Sequence, residues 1–111
     1  MLSDKLTEVT DAVTAAIKET QEYKDYEEKK DLVRSDPKAR ELIEKARNLQ
    51  KRLMEIPEEE RNSDYAESLQ NEYEEIAENT IVYDYSRAEA IYMTMIQEAF
   101  ANIIEKVDID Y

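Results

Sequence analysis

The chain has 111 residues, 15 basic against 28 acidic, a formal charge of −13, and no cysteine, histidine or glycine. Its length fits one all-helical domain, residues 1–111, with a modest core. The missing residue types exclude disulfides, thiolate nucleophiles, iron–sulfur ligand sets, imidazole general bases and glycine-rich phosphate loops, and the charge opposes loose contact with nucleic acid or an anionic membrane.

Two prolines and many straight-chain charged residues favour helix throughout. In the first segment Leu2, Leu6, Val9, Val13 and Ala16 recur at alternating spacings of four and three, with Ile17 beside them. The start, MLSDKLTEVTD, carries acids where a signal peptide needs bases and an apolar run. No segment has the length to span a bilayer, so the cytoplasm is the expected compartment. Thr20 is an expected N-cap for a second helix that places Tyr23, Tyr26 and Val33 on one side. A break at Glu19–Gln21 is expected, one continuous helix being the alternative.

At Asp36-Pro37 the physics is more definite. Asp36 suits an N-cap and Pro37 the first helical position, where a missing N–H costs nothing. Proline also pushes the residue before it out of the helical region, so the second helix should stop near Arg34 or Ser35. A third helix then runs from Pro37 to about Glu55, with Ala39, Leu42, Ala46, Leu49, Leu53 and Ile56 forming a coiled-coil-like seam and Ile43 beside it. IPEEERNSD, residues 56–64, is the one obvious loop, and Pro57 can start a single turn there. Ser63 or Asn62 caps a fourth helix whose inward residues are Tyr65, Leu69, Tyr73 and Ile76. Asn79-Thr80 interrupts the chain, and a last helix spans about Ile81 to Val107. It carries two adjoining stripes: Tyr85, Ala88, Tyr92, Met95, Ala99 and Ile103, then Met93, Ile96, Phe100, Ile104 and Val107. That face is too wide for one neighbouring helix, so this helix is either central or shared with another subunit. The expectation is an all-α antiparallel bundle of about five helices, the third and last being the longest.

Glutamate-rich helices raise the question of metal chemistry. A magnesium-dependent, all-helical nucleotide pyrophosphohydrolase of the MazG kind needs Glu-Glu-x-x-Glu followed by Glu-x-x-Asp on a later helix. Glu74-Glu75-Ile76-Ala77-Glu78 and Glu105-Lys106-Val107-Asp108 fit those spacings, and hard oxygen ligands suit Mg²⁺. Nineteen glutamates make such a match easy by accident, and the second motif lies in the last turn before the C-terminus. It stands as the alternative to a reading without catalytic or metal-ligating residues and without a cofactor.

Interaction residues are easier to nominate. Eight tyrosines against one phenylalanine suit core edges and interfaces, since a covered hydroxyl needs a partner. Methionines at Met93 and Met95 add adaptable packing. The candidate interface comprises Tyr85, Tyr92, Met93, Met95, Ile96, Phe100 and Ile103 of the last helix with Leu49 and Leu53 of the third. KARNLQKR, residues 45–52, is the one local basic cluster, with Glu41→Lys45 as a stabilising helix pair. Lys45, Arg47, Lys51 and Arg52 could face a partner, but the stacking aromatics of single-strand binders are not interleaved there, so direct nucleic-acid contact is not expected.

The order of these features resembles the YlbF/YmcA family of bacterial regulators, to which YheA-like proteins also belong. The similarity covers nearly the whole chain. Its sharpest marks are Glu22-Tyr23-Lys24, the Asp36-Pro37-x-Ala39 step and Ala88-Glu89. The resemblance implies long antiparallel helices, dimers or larger oligomers, and a non-enzymatic role linked to mRNA processing, competence, biofilm formation and sporulation. The partners it implies are a second copy, family paralogues or an mRNA-processing ribonuclease, with no direct membrane contact. Some members hold an iron–sulfur cluster through cysteines. With none here, that function does not carry over; the YheA-like branch is then an open alternative, and with it the pathway.

Overall fold

The computed structural model describes residues 1–107, which contain five α-helices, one short 3-10 turn and no strand. The helices are α1 (Asp4–Lys18), α2 (Gln21–Arg34), α3 (Pro37–Glu55), α4 (Asp64–Ala77) and α5 (Thr80–Lys106). As the spacing predicts, α3 with 19 residues and α5 with 27 are the longest. None of the described helices is long and apolar enough to cross a membrane.

Side-chain caps account for most of the boundaries. Ser3 Oγ accepts from the Leu6 N–H at 3.2 Å and starts α1. The chain breaks at Glu19–Thr20, where the Tyr23 N–H donates to Thr20 Oγ1 at 3.2 Å and opens α2. At the next joint Asp36 Oδ1 accepts from the N–H groups of Lys38 and Ala39 at 3.0 and 3.1 Å, with Pro37 in the first turn. Each such cap contributes about 1 kcal/mol. Glu58–Glu60 forms the single turn after Pro57. Ser63, rather than Asn62, caps α4 by accepting from the Ala66 N–H, and Asn79 Oδ1 accepts from the Val82 N–H to start α5.

The chain falls into two compact units. The mid-chain unit is Lys29–Ser86; the terminal unit is Met1–Glu28 together with the chain from Arg87. In the mid-chain unit α3 and α4 are neighbours joined by a short connection, which makes them antiparallel. Its core contains Ala39, Leu49 and Ile56 from the α3 side and Ala66, Leu69 and Ile76 from α4, with Val33, Val82 and Tyr85. Burying one such large aliphatic side chain contributes about 1.5–3 kcal/mol. One expected core position differs. Tyr65 is 58% exposed and Ala66 is buried in its place. Ala66, Leu69, Tyr73 and Ile76 keep the three-four-three register, and the small alanine permits close approach of the α3 and α4 backbones. The large ring of Tyr65, one position earlier, points off that face.

The terminal unit is built differently. Ala88 is its one buried residue among those described, and α1 buries none. What it does assemble is a tyrosine cluster. The Tyr92 ring of α5 stacks on Tyr26 of α2 at 4.9 Å and meets Tyr23 edge-on at 5.8 Å. Each such pair contributes about 0.5–1.5 kcal/mol beyond the area it buries.

Candidate interaction surfaces

The residues nominated from sequence divide by burial. Leu49 is 3% exposed and Tyr85 6%, both within the mid-chain core, and Leu53 is half-buried. These side chains already have partners inside the chain, so they add little free surface. Tyr92 and Met95 are half-buried, Tyr92 in the tyrosine cluster. The remaining four lie on the outer part of α5: Met93, Phe100 and Ile103 are exposed, and Ile96 is half-buried.

Those four and Val107 step by three, four, three and four along α5. This is the spacing of a coiled-coil seam, which keeps one apolar edge turned to a facing helix. Phe100 is 58% exposed and Ile103 47%. The seam rises about 21 Å along the helix. A second seam of the same kind lies on α1, where Leu2, Leu6, Val9 and Val13 are all exposed. The spacing of α1 is plain in the sequence, but its being a free surface is not. Exposure is the signal that separates it from a core stripe, and periodicity does not report exposure.

The basic cluster of residues 45–52 is redistributed by the helix. Lys45 Nζ lies 3.8 Å from the Glu72 carboxylate of α4, a pair across helices rather than along one. Lys51 and Arg52 are exposed. Arg47 instead lines an open cleft of about 390 Å³ within the mid-chain unit. Lys30, Val33 and Arg34 at the end of α2 form one wall; Arg40, Ile43, Glu44 and Arg47 of α3 form the other, with Tyr85 also lining it. Arg47 Nη2 donates a long hydrogen bond, 3.4 Å, to the Tyr85 hydroxyl. A buried phenol hydroxyl needs such a partner. The cations at positions 30, 34 and 40 were not nominated from sequence. The turn at Asp36-Pro37 brings them together, and linear spacing does not give its angle.

The carboxylates of the alternative reading do not assemble into a site among the described residues. Glu74, Glu75 and Glu78 are exposed on or just after α4, and Glu105 is exposed on α5. Asp108 lies outside the described residues, as does Tyr111. Among the described residues no group of three or more carboxylates is placed to hold a metal ion.

Comparison with known proteins adds what geometry cannot. The family model described as "Control of competence regulator ComK, YlbF/YmcA" matches residues 6–108. The "UPF0342 protein STH1710" of Symbiobacterium thermophilum is 28% identical over 104 residues, spanning 89% of this chain and 90% of that protein. No solved structure matches. The family match begins in the first turn of α1 and runs past the end of α5, so it takes in all five helices, the Asp36-Pro37 joint and the outward seam together: the chain belongs to the YlbF/YmcA family.

Proposed function

We propose that this protein is a non-enzymatic cytoplasmic regulatory adaptor that acts by protein–protein association. In this reading the terminal unit pairs with a second copy of the chain. The observation that carries the reading is the outward seam of α5, Met93, Ile96, Phe100, Ile103 and Val107. Among the described residues, ten of the fourteen exposed large apolar side chains belong to the terminal unit. A standard-size interface covers about 800 Å² on each partner. Burial of such faces is the dominant favourable term in most protein association.

A family paralogue or an mRNA-processing ribonuclease is the further partner that family membership favours, and the regulatory outcome would be the family's: competence, biofilm formation or sporulation. The mechanism requires no resident cofactor. Light scattering on the purified protein at micromolar concentration is expected to give a dimer or larger, and a stable folded monomer would overturn the reading. Nucleoside triphosphates with Mg²⁺ are expected to release no pyrophosphate. Release that disappears in Glu75→Gln would overturn the non-enzymatic assignment.

A further inference from the structure

We propose that the basic cleft between the end of α2 and α3 is a docking site for a carboxylate-rich segment of a protein partner that carries one apolar side chain. The proposal extends the adaptor reading, and rests on it, by naming the chemistry of a partner. In a chain of net charge −13, four cations line this cleft, Lys30, Arg34, Arg40 and Arg47, with Glu44 among them and Asp31 facing Arg34. Cations gathered in an otherwise acidic chain steer toward the cleft an acidic segment that most of the surface repels. Three of the four cations are arginines, whose planar forks read carboxylates through two parallel hydrogen bonds. Arg34 now sits 3.8 Å from Asp31 with both side chains more than half exposed, a pair weak enough to be exchanged for a partner's carboxylate. Half-buried Ile43, beside the buried Val33 and Tyr85, adds the apolar lining that a flanking hydrophobic side chain needs.

Two other anion classes fit less well. Phosphate sites draw on unsatisfied N–H groups at a helix N-terminus, but here the Lys38 and Ala39 N–H groups at the start of α3 are already taken by Asp36. Single-stranded nucleic acid needs an open aromatic face for stacking, and Tyr85 is buried.

The test is fluorescence anisotropy with a labelled peptide of one leucine flanked on both sides by glutamates. The expected result is saturable binding that weakens with added salt and at least tenfold in the double variant Arg34→Glu, Arg40→Glu. Both side chains are exposed, so the fold is retained; the milder Arg34→Gln, Arg40→Gln pair is expected to show a smaller loss in the same direction. Lys51→Glu with Arg52→Glu, outside the cleft, is expected to change binding less than threefold. Absence of saturable binding overturns the proposal. So does an equal loss in the Lys51/Arg52 variant, or displacement of the peptide by inorganic phosphate or a single-stranded oligonucleotide at lower concentration. Light scattering of the Arg34/Arg40 variant is expected to match the parent. A protein that assembles yet does not bind the peptide therefore refutes the cleft alone and leaves the adaptor reading standing.

Discussion

In the mid-chain unit the apolar seam of α3 meets α4 after one short connection, and Leu49 and Ile56 are buried beside Leu69 and Ile76. In the terminal unit α1 and α5 carry the same alternation of three and four, and Leu6, Val9, Phe100 and Ile103 face outward. Hydrophobic content does not explain the difference, because α5 is the most apolar helix of the chain. The neighbouring helix does: α4 offers α3 an apolar face of Ala66, Leu69 and Ile76, whereas α2, which follows α1 just as closely, buries only Val33. An amphipathic stripe therefore states that a face requires cover. It does not state whether the cover lies in the same chain.

That contrast can be broken most severely in the mid-chain unit. Leu49→Ala should remove about 2–5 kcal/mol of stability through the cavity it leaves, read by urea denaturation and independent of protein concentration. A loss below 1 kcal/mol would show that this core does not hold the fold. Next in size, Phe100→Asp should weaken self-association about ten- to a hundredfold, from the loss of one buried aromatic. Sedimentation equilibrium checks it, with intrinsic stability of the separated chain held within about 0.5 kcal/mol. Tyr92→Leu should cost about 1 kcal/mol by removing the contacts with Tyr23 and Tyr26, visible in the thermal melt and in loss of the near-ultraviolet tyrosine signal. Smallest is a pair of caps. Asp36→Ala should lower global stability by about 1 kcal/mol. Ser3→Ala should change it by only a few tenths, since α1 buries no residue among those described, and should register in amide exchange of α1 alone.

Local chemistry was the most legible part of the sequence. The Asp36-Pro37 joint, the Thr20 break and the turn after Pro57 all follow from which side chains can satisfy a helix end. The α3 seam was legible for the same reason, because its spacing is regular and α4 follows closely. Tyr65 was misplaced because spacing alone does not say whether a large ring or the alanine beside it sits against a neighbouring helix. The basic cleft was hidden for a different reason. Lys30 and Arg34 lie before the proline and Arg40 and Arg47 after it, so their convergence depends on the angle of a turn. Leu49 and Tyr85, nominated as interface residues, show the limit from the other side: core and interface demand the same side chains.

The division of apolar residues also bears on synthesis. Every buried residue of the mid-chain unit lies between Val33 and Tyr85, and its α3–α4 contacts are local in sequence, the kind that form quickly. On a ribosome adding about 5–20 residues per second, that core leaves the exit tunnel ahead of the outward half of α5. The α1 seam precedes that core in chain order, with no finished surface of the core yet present to receive it. Exposure of α1 thus precedes any cover, and timely encounter with a partner becomes a matter of chaperoning and local concentration as well as of affinity.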